Sequence, residues 1–127
     1  MCTISHESLK AMGTRQRPAE WLVARSSAVA ATNPEPGLLR CIGSYNDKLM
    51  LVEHQMQKGW VGSRHSHPHE QIVYVVRGRL RVVVGDNAFE AATGDSFVVA
   101  GGIEHEAAAV EDSVVIDVFT PCRHDYV

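Results

Sequence analysis

No excess of positive charge marks this chain. Lys and Arg total 12 against 15 Asp and Glu, for a formal net charge of -3. A basic face that would draw nucleic acid or an anionic membrane therefore has no support, although Arg77, Arg79 and Arg81 alternate within one short span. Cysteine is scarce too. Cys2, Cys41 and Cys122 are an odd number with no close-spaced pair, which argues against a disulfide framework and for a reducing, cytoplasmic compartment. No apolar run approaches the ~20 residues of a membrane-spanning helix. The opening stretch MCTISHESLKAMGTRQRP has no apolar core of the kind a secretory leader carries. There is no repeat and no charge block. At 127 residues the chain is long enough for one domain whose core needs no metal or disulfide staple.

What is present changes character at Gly37. Residues 1–36 are polar and alanine-rich, with one apolar cluster at Trp21, Leu22 and Val23 and a closing turn signal, NPEPG, at Asn33–Gly37. They read as an N-terminal extension, partly ordered, with a short helix or strand docked on the body. Residues 37–127 read as a single domain. GLLRCIGSYNDKLMLVEHQMQKG suggests two strands around a turn at Tyr45-Asn46-Asp47. Short β-branched runs follow, broken at Gly78, Gly85-Asp86, Gly94-Asp95 and Gly101-Gly102, and SVVIDVFTP forms a last strand stopped by Pro121. Such spacing predicts an all-β sandwich or barrel. No 3.6-residue period after Gly37 is long enough to specify a helix.

The stretch HSHPHEQ, from His65 to Gln71, holds five potential metal ligands in seven residues. Strand side chains alternate faces, so His65, His67, His69 and Gln71 share one parity. Pro68 interrupts ladder bonding, and a kink there can break that parity. His65 and His67 still make a compact i, i+2 pair for one metal. His105 follows at a distance, after a glycine-rich turn. His69 and Glu70 are expected to support the ligands or face solvent.

These residues resemble the cupin superfamily, in particular its small single-domain bacterial members. Their first motif, G-x5-H-x-H-x3,4-E-x6-G, is filled by Gly59, His65, His67, Gln71 and Gly78, with Gln in place of the usual Glu. Their second, G-x5-P-x-G-x2-H-x3-N, is filled by Gly94, Gly102 and His105, with Ala100 and Ala109 replacing the proline and asparagine. The resemblance spans about Leu38 to Phe119. It implies a cupin jelly-roll β-barrel, RmlC-like, with one divalent transition metal (Zn, Ni, Fe or Mn) held by His65, His67, Gln71 and His105. A neutral amide ligand would leave the full charge of the cation to act on a bound oxygen.

On the last strand Val115, Asp117 and Phe119 share one face, and Val114, Ile116 and Val118 the other. The second set is wholly aliphatic, as a buried packing face should be, while Asp117 is a candidate for the barrel interior, where an unpaired carboxylate is costly. Arg123 is a candidate partner for Asp117 or for an anionic substrate. From spacing alone, a solvent-facing Asp117 and an ordinary tail arginine stand equally open. The ending D-x-F-x-P-x-R-x-D, filled by Asp117, Phe119, Pro121, Arg123 and Asp125, is similar to that of small cupins of the KdgF type, which act on 4,5-unsaturated uronates. That likeness implies pocket roles for Asp117 (general acid/base), Phe119 (apolar wall) and Arg123 (carboxylate grip), with Arg64 and Arg81 as weaker candidates.

Two alternatives stay open: a dioxygenase, lyase or cyclase on the same metal site, and a non-enzymatic metal-dependent binding domain. The expected partners are a small anionic substrate and, by family resemblance, a second copy of the chain, with an N-terminal edge strand available for pairing. No nucleic acid and no membrane are expected. Cys122 reads as non-catalytic. His6, His54 and His124 have no partner by spacing and read as structural or solvated.

Overall fold

Strand alternation is strongest at the carboxyl end. In Ser113–Thr120 every second residue, Ser113, Val115, Asp117 and Phe119, is buried, and Val114, Ile116 and Val118 between them are half-buried. The aliphatic set is thus the outer face, although residue type suggested a buried packing face for it, and the Asp117 set is the inner one, the orientation for which Asp117 was a candidate. The reason lies in the neighbours. The inner face of this strand looks into a cavity that tolerates polar groups, and the outer face is a sheet surface rich in aliphatics.

The structure, a computed structural model, describes residues 20–127. Among the described residues nine strands run in chain order: β1 Thr32–Glu35, β2 Leu38–Tyr45, β3 Met50–Met56, β4 Glu70–Arg77, β5 Arg79–Val84, β6 Asn87–Ala92, β7 Ser96–Val99, β8 His105–Ala109 and β9 Ser113–Thr120. They form a six-stranded sheet in the order β1-β2-β3-β9-β4-β7 and a three-stranded sheet in the order β6-β5-β8. Their pairings are antiparallel. This is the all-β jelly-roll arrangement that strand spacing and glycine punctuation predict. The short 3-10 turns Ser26–Ala28 and His124–Tyr126 lie outside the sheets.

The turn expected at Tyr45-Asn46-Asp47 joins β2 to β3, where Asn46 Oδ1 accepts from the Lys48 and Leu49 amides at 2.9 and 3.1 Å. That contact is the Asx geometry for which Asn is favoured in turns. Gly78, between β4 and β5, has φ 102° and no room for a Cβ, which would meet Ser113 Oγ at 2.2 Å. β1 falls inside the segment read as an extension and forms one edge of the larger sheet. Trp21 is 77% exposed and Val23 49%, so neither docks on the body as expected. His6 and Cys2 lie outside the described residues. Cys41 is disulfide-bonded, a pairing that the cysteine spacing did not suggest. Cys122 is free and buried. Among the described residues no helix is long and apolar enough to cross a membrane.

Two apolar clusters form the core. One joins both sheets through Leu38, Met56, Val73, Val75, Leu80, Val82 and Val115; the other, Ile42, Met50, Val52, Phe119 and Cys122, closes the end of the larger sheet. Met50, Val52 and Val75 are fully buried, each stabilising the fold by about 1.5–3 kcal/mol relative to exposure. That surplus offsets the burial of His54, His67, His105, Asp117 and Arg123, charged or titratable groups that a core excludes unless they are paired.

Candidate metal centre

The three histidines meet because the chain brings the loop before β4 against the start of β8. His65 and His105 form an isolated antiparallel bridge, with amide-to-carbonyl bonds of 3.0 and 2.8 Å in the two directions. Two further contacts fasten the glycine-rich turn before β8 to the His-x-His segment. The Gly102 amide donates to His67 O at 2.8 Å and the Gly101 amide to Glu70 Oε2 at 2.7 Å. A Cβ on Gly101 would lie 2.3 Å from Pro68 O, so this approach requires glycine. Glu70 therefore supports the ligands from behind, and the kink at Pro68 is the surface on which the turn rests.

The imidazoles of His65, His67 and His105 offer ligand atoms all within 4.8 Å of one another. Each Nδ1 faces a main-chain carbonyl: Ser63 at 2.9 Å, His69 at 3.1 Å and Ile103 at 2.9 Å. A carbonyl only accepts, so the ring proton sits on Nδ1 and each Nε2 presents a lone pair, an assignment made from the hydrogen-bond partners. His105 Nε2 is buried with no partner. His67 Nε2 lies 3.1 Å from Gln71 Oε1, which sets two acceptors face to face. Convergent, unprotonated acceptors with no donor among them fit a cation. Burial holds the His67 and His105 imidazoles below the ordinary histidine range, keeping them in the neutral form a metal requires. Three imidazole nitrogens and an amide oxygen suit a divalent transition metal.

Strand register builds a second feature behind this donor set. Gln71 on β4 pairs with Phe119 on β9, and His54 on β3 pairs with Val115. Asp117 lies two residues from each of these pairs, diagonal to both Gln71 and His54, within reach of long side chains. Gln71 Nε2 donates to Asp117 Oδ1 at 2.8 Å, which turns Gln71 Oε1 toward the histidines. His54 Nδ1 lies 2.6 Å from Asp117 Oδ2, and Arg40, directly opposite His54 on β2, donates from Nε to His54 Nε2 at 3.0 Å. The result is an unbroken side-chain series, Arg40–His54–Asp117–Gln71, ending at the metal donors.

Asp117 is thus internal, one of the two orientations the sequence left open, but its partner is not Arg123. That guanidinium is buried and bound to Asp125 through Nε at 2.9 Å and Nη2 at 2.7 Å. The Arg123 bond holds the Asp125 carboxyl below the usual carboxylate range. Arg123 also sits over the rings of Tyr126 and Phe119, at 4.2 and 5.1 Å from their centroids, and Arg40 over Tyr126 at 3.8 Å. Phe119 is edge-on to His67 at 5.8 Å and to Tyr126 at 5.7 Å. A cavity of about 310 Å³ opens here, at the small end of ligand sites. Arg40, His54, His65, Gln71, His105, Asp117, Phe119, Arg123 and Tyr126 line its polar end, and Leu38, Val73, Leu80, Val82 and Val115 its apolar end.

Arg40, His54 and Tyr126 are the members that sequence reading missed. His54 carried a usable signal: it shares strand parity with Met50, Val52 and Met56, all buried. A histidine on that face needs partners, and of the two readings, structural or solvated, its burial excludes the solvated one. Arg64 does not line the cavity and is engaged by Gly85 O, Glu104 and Glu106, and Arg81 is exposed. Cys122 is raised to about 11 by burial and by Asp47 and Asp125, which keeps its thiol protonated.

A jelly roll carrying a three-histidine cluster able to hold a metal ion defines the class, a small β-barrel protein with a candidate metal centre. The chain belongs to the cupin family: the family described as Cupin domain matches residues 52–119. It is 36% identical over 92 residues to the pectin degradation protein KdgF of Dickeya dadantii, covering 71% of this chain and 84% of that one. Its fold matches the structure of KdgF from Halomonas sp. with a TM-score of 0.80 and 35% identity, covering 84% of this chain and 99% of that chain. An RmlC-like cupin from Shewanella frigidimarina matches with a TM-score of 0.80 and 32% identity, covering 84% of this chain and 96% of that chain.

Proposed function

We propose that this cupin is a metal-dependent enzyme that opens cyclic 4,5-unsaturated monouronates, the products of pectin or alginate lyases, to their linear keto forms. The observation that carries the reading is Asp117, a buried carboxylate on the cavity wall, bonded to the same Gln71 amide whose oxygen faces the histidines. The 36% identity to a pectin degradation protein supports the substrate class.

A divalent transition metal (zinc, nickel, iron or manganese) held by His65, His67, His105 and Gln71 supplies Lewis acidity toward a substrate oxygen when bound. The chain's own groups do the rest. Arg123 has committed one N–H from Nε and one from Nη2 to Asp125, and its remaining donors grip the substrate carboxylate. Phe119 and the apolar end of the cavity keep water from the ring. Asp117 takes the proton of the anomeric hydroxyl. The O–H electron pair becomes the carbonyl, the bond from that carbon to the ring oxygen breaks, and its electrons leave an enolate. Return of the proton to the enolate carbon gives the ketone. Substrate and product are isomers, so one proton leaves and one comes back.

The test is an assay on lyase-generated unsaturated monouronates with metal analysis of the same preparation. Loss of the enol-ether ultraviolet band without oxygen uptake supports the reading. Oxygen consumption on an aromatic or other small substrate would replace it with a dioxygenase, and tight binding without turnover with a binding domain.

We further propose that two copies pair through the outer face of the larger sheet. Val98, Ile72, Val118 and Leu51 lie in one cross-strand row over β7, β4, β9 and β3, and Val98, Ile72 and Leu51 are exposed. Such an aliphatic row favours burial against a matching surface. Light scattering at micromolar concentration should give twice the chain mass, and a monomer that persists at all concentrations overturns the pairing.

A further inference from the structure

Arg40 and His54 have no place in the proton transfer just described, yet both line the cavity and both are tied to Asp117. The hydrogen-bond inventory around them permits only one arrangement. Arg40 Nε–H points at His54 Nε2 from 3.0 Å, and a guanidinium donates but never accepts. His54 Nε2 must therefore offer its lone pair, which leaves the ring proton on Nδ1. That proton faces Asp117 Oδ2 at 2.6 Å. On the other side Gln71 Nε2–H donates to Asp117 Oδ1 at 2.8 Å. Both carboxylate oxygens are thus acceptors, each fixed by a donor on a neighbouring strand.

We propose that His54 and Arg40 are positioning residues for Asp117. Arg40 at Nε2 and Asp117 at Nδ1 select the same His54 tautomer, Arg40 holds the ring in place, and the His54 Nδ1–H holds the carboxylate as the acceptor of the substrate proton. The arrangement is built into the strand register: Arg40 pairs with His54 across β2 and β3, and His54 is diagonal to Asp117 across β3 and β9. Tyr126 completes the support. Its ring lies 3.8 Å under the Arg40 guanidinium and edge-on to His54 at 6.3 Å, so the arginine is held over an aromatic face while it donates. An outer partner that sets the orientation of a group in the site costs roughly 10- to 100-fold when removed, without supplying chemistry itself.

The inference rests on the uronate reading for its activity arm and on His54 alone for its spectroscopic arm. In the zinc-loaded protein, long-range nitrogen–proton NMR of the His54 ring should show a single neutral tautomer with the proton on Nδ1. R40M removes the donor at Nε2 while Asp117 still accepts from Nδ1–H, so the tautomer should persist with a shifted Nε2 resonance. In turnover, H54N keeps an amide donor where Nδ1 stood and should retain kcat within about tenfold, whereas H54L should lose about 10- to 100-fold in kcat with KM and metal content little changed. An Nε2-protonated or doubly protonated His54 in the wild-type chain overturns the proposal, as does H54L with wild-type kcat or H54N as impaired as H54L. A wild-type chain inert toward unsaturated uronates would sink the reaction proposed above, and the His54 tautomer would still decide this one.

Discussion

Replacing Asp117 by Asn changes one oxygen into an NH2 group and leaves the shape of the side chain intact, so the consequence can be worked out contact by contact. The Oδ1 of the substituted side chain can still accept from Gln71 Nε2, which lies 2.8 Å away in the native protein. The new amide then faces His54 Nδ1–H across the 2.6 Å contact, and two donors meet. With Gln71 Oε1 kept toward the histidines, as a bound metal requires, His54 can relieve this only by moving its proton to Nε2, where it meets the Arg40 Nε–H at 3.0 Å. Either way one buried donor is left unmatched, at a cost of about 1–3 kcal/mol. For a domain of this size that corresponds to a drop of roughly 4–12 °C in Tm. The proton acceptor is lost as well, so turnover of unsaturated monouronates should fall by about 10²- to 10⁴-fold. The three histidines keep their main-chain contacts at Ser63, His69 and Ile103, so metal content should match the wild type. Thermal melts, metal analysis and the enol-ether ultraviolet assay on one preparation read all three. Wild-type turnover in D117N would refute the role of the carboxylate, and an unchanged Tm would refute the donor inventory around it.

Other outcomes follow from the same geometry. Burial places the His67 and His105 imidazoles below their ordinary value of 6.5; the unfolded chain therefore binds protons first as pH falls, so stability that is full above that value is lost below it, and the metal-free protein should melt lower at about pH 5 than at about pH 7.5. Metal affinity should decline over the same interval, because protonated imidazole cannot ligate; titration with zinc at both pH values checks it. Gly101→Ala forces a Cβ against Pro68 O at 2.3 Å and should cost about 1–3 kcal/mol while loosening the turn that carries His105, read as a lower Tm and weaker zinc binding. The Cys122 thiol, raised to about 11 and fully buried, should resist iodoacetamide in the native protein and react only on unfolding, as mass spectrometry of timed samples would show.

The sequence by itself determined the architecture and singled out the three histidines that cluster, because both are local patterns. Glycines at 78, 85, 94 and 101–102 separate strands whose alternation repeats every two residues, so these turn positions follow from short windows. The His65–His67 pair and the later His105 are legible for the same reason, and the diagonal reach of Gln71 to Asp117 then orients the amide in that set. Burial of β9 was not legible from residue type. Val114, Ile116 and Val118 look like the inner face until the cavity beside Asp117 and Phe119 is seen. The tertiary structure alone decided the partners. Arg40 reaches His54 across 14 residues of sequence, and His54 reaches Asp117 across 63; such contacts depend on which strands pair and in what register, which no short window contains. Arg123 shows the converse, bound to Asp125 two residues away rather than to Asp117. Local alternation chose the faces, and long-range register chose what meets on them.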